Sequence, residues 1–416
     1  MSFKILKNNC CGLDVHKTWI YACIGITDSF KRTEYKQARF SSFTKGLQEL
    51  CLWLAKYNCI DVCMESTGKY WIPVFNVLEK NNIFVTLSHP KYTKPQKGNK
   101  TDRKDAKWIC DLYMCGMVKP SFIPPADIRQ LRDLVRYRFK LTCMITGEKN
   151  RAHNCLTVSN LKLDDVFSDI FGKSSRSITE QILQHPGEVF DVAPFVDSRC
   201  KTPIEEIQAA VDGAISHEQA VKLRQCLKHI DELNVHIKNL DEDIDNHMND
   251  EEKKATSAIT EIGGIAGASA KAIISVIGTD MSRFPTDAHI SSWAGLCPGN
   301  NESAKKRYSG KTNKGNRLLR TTLIVCAHAA AKMKNTYFSA QFHRISAHRG
   351  KKRAYVAVAH SMLIAIYHIL KDGVKYQDLG ADYYNQFNKE RKINAYLKKL
   401  KELGWTEQNA MIVQPA

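Results

Sequence analysis

Ile60-Asp61-Val62-Cys63-Met64-Glu65 reads as a short buried strand that ends on an acid. Upstream of it, Phe43, Leu47, Leu50 and Leu54 recur at helical spacing and mark an amphipathic helix. Before that helix, residues 32–40 have strand character, and Trp19, Tyr21, Cys23 and Gly25 alternate as on another strand. The first strand of the chain is Cys11-Gly12-Leu13-Asp14-Val15-His16-Lys17, an apolar run broken by Asp14. Downstream of Glu65, the pattern predicts a helix over 70–81 and a strand over Ile83-Phe84-Val85-Thr86-Leu87.

The order β-β-β-α-β-α-β-loop-α is a hairpin meander followed by βαβ crossovers. That is the layout of a ribonuclease-H-like domain. A lone acid in an apolar strand is costly unless it is paired or ligates a metal, and Asp14 and Glu65 are such acids. The next informative stretch is Lys97-Gly98-Asn99-Lys100-Thr101-Asp102-Arg103-Lys104-Asp105-Ala106-Lys107. Asp102 and Asp105 stand three apart among five Lys or Arg, and Arg103 and Lys104 between them are candidate nucleic-acid contacts. Ala106, Ile109, Cys110, Leu112, Tyr113 and Met117 then recur at helical spacing, so the two acids open a helix and share a face. Adjacent carboxylates repel, and a divalent cation relieves the repulsion; magnesium is the hard, oxygen-loving choice. The simpler reading makes Asp102 the N-cap and Asp105 a first-turn acid. Ligands of open α/β sheets gather at the carboxyl ends of strands. Asp14, Glu65, Asp102 and Asp105 therefore outline a two-magnesium site, which would clamp the attacking and leaving oxygens of a phosphodiester. The alternative is a set of solvated or capping acids.

Composition points the same way. The 416 residues suffice for two or three domains, and the formal net charge of +18 favours a polyanionic partner, nucleic acid before membrane. No run of eighteen apolar residues is present, and Met1-Ser-Phe-Lys-Ile-Leu-Lys7 lacks the apolar core of a signal peptide. No membrane span and an intracellular location are expected. The fourteen cysteines are scattered without a Cys-x-x-Cys pair, which predicts reduced, mostly buried thiols rather than a zinc site.

Residues 127–160 read as a basic helix carrying Arg129, Arg132, Arg136, Arg138, Lys140, Lys149 and Arg151, either a solvated face or a nucleic-acid contact. In residues 160–216, Pro186, Pro194 and Pro203 punctuate short helices with no evident chemistry. Leu223, Cys226, Ile230, Leu233, Ile237, Leu240 and Ile244 form a heptad seam and predict one long helix over 217–255. It could pack in its own domain, pair antiparallel with the 127–155 helix, or form a dimer contact. Ile262-Gly263-Gly264-Ile265-Ala266-Gly267 interrupts the helical pattern as in a helix-hairpin-helix, whose turn amides around Gly264 would grip a phosphate. Residues 293–317 read as a polar, basic loop with Ser303 and Ser309 beside Lys305, Lys306, Arg307, Lys311, Lys314 and Arg317. Such a loop suits a phosphate backbone. Its serines are either nucleophiles activated by cations, metal or base, or hydrogen-bond donors only. Helices over 318–334 and 351–370 follow as packing elements, and the tail to Ala416 reads as a helical extension.

Gly12-Leu-Asp-Val-His-Lys17, Met64-Glu-Ser-Thr-Gly68, Lys100-Thr-Asp-Arg-Lys-Asp-Ala106 and Trp293-Ala-Gly-Leu-Cys-Pro-Gly-Asn-Asn-Glu-Ser303 together resemble the transposases of the insertion sequence 110 family, from about residue 10 to 370. The resemblance implies a multidomain α/β plus α protein. A RuvC-like domain would span 1–157, a coiled-coil helical region 158–255, a mainly helical C-terminal transposase domain 256–372 and a helical tail 373–416. The family's four acids fall on Asp14, Glu65, Asp102 and Asp105. Its nucleophilic serine falls on Ser303, with Ser309 as the fallback. The implied activity is RNA-guided recombination of an insertion sequence: DNA strands are cleaved and rejoined. The implied partners are double-stranded DNA at the element ends and the target, a structured non-coding guide RNA, and further copies of the chain in a dimer or tetramer. The implied location is the bacterial nucleoid in the cytoplasm. The chain departs from the family pattern in Gly264-Ile265-Ala266-Gly267, where Gly-Ile-Gly is usual, and in Ser303-Ala304-Lys305-Lys306, where glycine commonly follows Ser-Ala. The rival readings are a structure-selective two-metal DNA nuclease and a non-catalytic nucleic-acid-binding relic.

Overall fold

The computed structural model describes residues 4–66, 68–93, 101–121, 123–299, 301–303, 306–387 and 389–404, and divides into two units, Met1–Pro124 and Pro125–Ala416. In the first unit β1 (Asn9–Val15), β2 (Trp19–Thr27) and β3 (Thr33–Ser41) form an antiparallel meander. Helix α1 (Thr44–Lys56) crosses over to β4 (Asp61–Glu65), which pairs parallel with β1, and α2 (Trp71–Lys80) crosses over to β5 (Phe84–Ser88), parallel to β4. The sheet order is β3-β2-β1-β4-β5. The short α3 (Pro90–Thr93) and then α4 (Asp102–Met114) follow. The expected element order of this region is thus present, in a mixed α/β arrangement consistent with a RuvC-like domain.

Strand alternation divides the residues between two faces. Leu13, Val62 and Met64 pack with Leu50 and Leu54 of α1 and Val74 and Leu78 of α2. Cys10, Cys23 and Cys63 point the other way, against Ala106, Ile109, Cys110 and Tyr113 of α4. Each fully buried Leu or Met side chain stabilises the unit by about 1.5–3 kcal/mol relative to exposure. Helix α4 stops before Met117, which the helical spacing had included. Gly116 takes φ +66, its N–H donates to Tyr113 O at 3.1 Å, and Met117 N–H donates to Leu112 O at 2.9 Å. This pair of bonds is a glycine-dependent helix stop, and it leaves Met117 exposed.

The second unit is mainly helical. Helix α5 (Ala126–Val158) leads to the short α6 (Leu163–Val166), α7 (Lys173–Gln184) and α8 (Ile204–Ala210), and then to α9 (His217–His247). Helices α5 and α9 run antiparallel: His247 meets Asp127, Asp241 meets Arg138, and His229 meets Glu148. Leu131, Val135, Leu141 and Ile145 pack against Ile230, Leu233, Leu240 and Ile244, so the heptad seam is buried within the chain. Helix α5 opens the second unit and packs its apolar face there, against α9.

The single helix expected over 217–255 is broken. Met248 is extended, with φ −69 and ψ 131, and Asn249 caps a new helix, α10 (Asp250–Thr260). The Asn249 side chain accepts from Glu252 N–H at 2.8 Å, and Glu252 Oε2 accepts from Asn249 N–H at 2.9 Å. This reciprocal cap satisfies two N-terminal amides and favours a restart over continuation. A tight turn then leads into α11 (Gly267–Ile277), followed by α12 (Asp287–Trp293).

Where a loop was expected over 293–317, the backbone forms a hairpin of β6 (Asn301–Ser303) and β7 (Lys306–Ser309). A Pro298–Thr312 bridge and the Gly299 N–H to Lys311 O bond at 2.8 Å extend the pairing toward its base. The sequences Asn301-Glu302-Ser303 and Lys306-Arg307-Tyr308-Ser309 carry no apolar alternation that would mark strands. Helices α13 (Arg317–Ala331), α14 (Tyr337–Arg349), α15 (Lys351–Asp372), α16 (Tyr383–Phe387) and α17 (Lys389–Glu402) complete the described residues. Helix α15 is long and apolar enough to cross a membrane, but Val358, Ala359, Met362, Leu363 and Ile366 are fully buried in the core with Ile273, Leu323 and Ala327.

Candidate active site

Gly12 sets the distance between β1 and α4. A β-carbon there would lie 2.4 Å from both Ala106 O and Cys110 N, so the helix rests directly on the strand backbone. Two residues further along the same face stands Asp14. The parallel register pairs Leu13 with Met64. The next residues, Asp14 and Glu65, therefore stand side by side on neighbouring strands and share the α4 face.

Thr101, not Asp102, caps α4: its side chain accepts from Lys104 N–H at 3.4 Å. A β-hydroxyl one residue upstream meets the helix amides, so Asp102 occupies the first helical position. Its carboxylate accepts from Trp19 Nε1–H at 3.2 Å and lies 3.6 Å from His16 Nε2. His16 Nε2 also stands 3.0 Å from Asp14 Oδ2. Asp14, His16 and Asp102 each present a ligand atom within 4.8 Å of the others, and all three are half-buried. Glu65 lies outside that group. Its Oε2 accepts from Thr93 Oγ1 at 2.8 Å, while Trp108 Nε1–H of α4 donates to Thr93 O at 3.1 Å.

Burial pushes the Asp14 carboxyl above its usual range. The His16 hydrogen bond and charge oppose that rise, and the Asp105 and Asp102 carboxylates add to it. Asp14 thus feels two further carboxylates at a partly desolvated point, and a cation there would relieve both the repulsion and the desolvation. Two carboxylate oxygens and one imidazole nitrogen are a fitting donor set for a divalent metal.

The remaining candidates lie elsewhere. Arg103 and Lys104 are exposed on the first turn of α4, and Arg103 hydrogen-bonds Gln37 Oε1 of β3. In the second unit, Ser303 pairs with Lys306 at the end of the hairpin, Glu302 with Arg307, and Asn301 with Ser309. Lys305 lies outside the described residues. At the hairpin base Gly295 has φ +72, and a β-carbon on Gly315 would lie 2.3 Å from Gly295 N. Arg320 donates to Gly295 O at 3.0 Å and braces this contact. Lys311, Lys314 and Arg317 are exposed around it. Gly264 has φ +96, and a β-carbon there would lie 2.7 Å from Ala330 N and Cys326 O, so this turn packs directly on α13.

Part of the basic face expected on α5 serves internal contacts. Arg132 donates to Ser275 O at 3.0 Å and Val276 O at 2.9 Å, closing the end of α11, and burial lowers its pKa to about 10. Arg138 pairs with Asp241 at 2.8 Å, and Arg151 with Glu148 at 2.7 Å.

From the sequence alone, Gly12, His16, Trp19, Thr93 and Thr101 had no assigned role in the site. His16 carried a usable signal, since its i,i+2 spacing from Asp14 matches the strand period.

A family model described as a transposase, of the IS110 type named for its DEDD acids, matches residues 11–160. A second, described as Transposase IS116/IS110/IS902 family, matches residues 256–343. A search of curated proteins returns no match. One matched segment contains all four acids and the other contains the serine hairpin, and both define a DNA-transferring enzyme, a transposase. Within that class, the chain belongs to the IS110 family.

Proposed function

We propose that this transposase is an RNA-guided recombinase of its insertion sequence. Asp14, Glu65, Asp102 and Asp105 hold magnesium, and Ser303 is the nucleophile. The observation that carries the reading is the convergence of Asp14 and Asp102 on His16 Nε2, from elements far apart in sequence. A bound divalent cation would supply Lewis-acid stabilisation of the phosphate oxygens. The chain's own residues supply the rest. Ser303 Oγ forms a bond to a DNA phosphorus, and one P–O bond to deoxyribose breaks. The serine proton leaves to a base and the released sugar oxygen gains one. A phosphoserine link retains the energy of the broken bond, so a second sugar hydroxyl can displace Ser303 and rejoin the strands.

Lys305, Lys306, Arg307, Lys311, Lys314 and Arg317 hold the phosphates near Ser303, while Arg103 and Lys104 hold them near the acids. The amides around Gly264 add a phosphate contact without base readout. A structured non-coding RNA selects the donor and target duplexes by base pairing. A dimer or tetramer of the chain brings two DNA partners together. The net charge of +18 supports polyanionic partners of this kind. Recombination between donor and target plasmids, with the co-purified RNA sequenced, tests the proposal. Recombinant junctions that require magnesium and one RNA species support it. Junctions formed at the same rate in excess EDTA, or without RNA, contradict it.

A further inference from the structure

His16 stands outside the four acids, yet its Nε2 atom lies 3.0 Å from Asp14 Oδ2 and 3.6 Å from Asp102 Oδ1. Neighbouring ligands of an octahedral cation with bonds of about 2.1 Å stand about 3 Å apart. The imidazole–carboxylate spacing therefore suits a shared cation as well as a direct hydrogen bond. The turn between β1 and β2 holds the ring in place. His16 N–H donates to Trp19 O at 2.9 Å, the two rings lie 5.6 Å apart, and the Trp19 indole donates to Asp102. A short, tied turn thus delivers one nitrogen donor among carboxylates.

We infer that His16 Nε2 is a direct ligand of the divalent cation shared by Asp14 and Asp102. The inference rests on the metal-binding reading of the same site. Ligation uses the Nε2 lone pair, leaves the ring proton on Nδ1 and replaces the hydrogen bond to Asp14. Magnesium keeps to carboxylate and water oxygens, whereas first-row transition ions, manganese(II) among them, also accept imidazole. His16 therefore shifts the site toward manganese(II), relative to one built from oxygens alone.

Manganese(II) is the probe, titrated into the full-length chain purified without a histidine tag. Pulsed electron paramagnetic resonance should show nitrogen coupling to the bound ion, and that coupling should change when the chain carries 15N-histidine. This arm needs no substitution, so folding does not enter it. His16→Gln should remove the histidine coupling and weaken manganese binding about tenfold, in the range typical of groups that tune a metal site. Magnesium binding should weaken less, so the preference for manganese shrinks. Manganese that depends on Asp14 and Asp102 but shows no histidine coupling would overturn the ligand role of His16 and leave the metal site standing. Coupling that survives in His16→Gln would also overturn it. Binding indifferent to both Asp14→Asn and Asp102→Asn would overturn the metal reading and, with it, this inference.

Discussion

Gly12 and Cys110 meet backbone to backbone: a β-carbon on Gly12 would lie 2.4 Å from the Cys110 nitrogen. This contact fixes how closely α4 lies on β1, and hence where Asp102 stands relative to Asp14. Gly12→Ala should destabilise the protein by about 1–3 kcal/mol, the usual range for overpacking, and should weaken divalent-metal binding as well. Gly25→Ala is the informative comparison. The atoms nearest its β-carbon would be Met114 Sδ at 2.5 Å and Cys110 Sγ at 3.0 Å, which are side-chain atoms that can turn away. Urea unfolding should therefore show a smaller loss for Gly25→Ala. Equal losses would argue against a rigid backbone contact at Gly12.

The start of α4 separates capping from chemistry. Thr101→Ala should cost about 1 kcal/mol, as loss of an N-cap does, and should reduce recombination only modestly. Asp102→Asn should leave the unfolding midpoint nearly unchanged and abolish recombination. Both quantities can be measured on the same preparations. A stable, active Asp102→Asn protein would return Asp102 to an ordinary first-turn acid.

Cations in the second unit should divide into two groups. Arg132 closes α11 through two carbonyl groups and is half-buried. Arg132→Ala leaves those acceptors unsatisfied, which should cost about 1–3 kcal/mol of stability, with little change in the salt dependence of DNA binding. Lys314→Gln and Arg317→Gln should do the reverse. Each lost phosphate contact flattens the log–log salt plot by about 0.9 on duplex DNA. Filter binding at several salt concentrations reads the slope. A slope unchanged in the double variant would remove this face from the DNA contact.

The element order of the first unit was legible because its strands read as short apolar or alternating runs and its helices keep their own stripes. Asp14 and Glu65 stood out as acids in apolar strands. Gly12 did not, because its role depends on a helix that begins ninety residues later. Thr101 and Asp102 are adjacent candidates for one cap, and composition does not choose between them. The heptad seam of α9 was visible, but the break after His247 depends on the reciprocal bonds of Asn249 and Glu252. Arg132 resembled its exposed neighbours in sequence; only packing distinguishes it. The residues of the hairpin carrying Ser303 do not alternate apolar and polar, so strand periodicity left no mark there.

The proposed role of Ser303 is to form the covalent link to DNA. The direct measurement is a denaturing gel of the protein incubated with end-labelled donor DNA, magnesium and the co-purified RNA. Wild type and Ser309→Ala should each give a labelled adduct that survives denaturant and disappears on protease treatment. Ser303→Ala removes one hydroxyl and should give no adduct and no strand exchange, while RNA binding persists. DNA cleavage at the wild-type rate by Ser303→Ala would contradict the account and favour a nuclease that uses the acids and water alone.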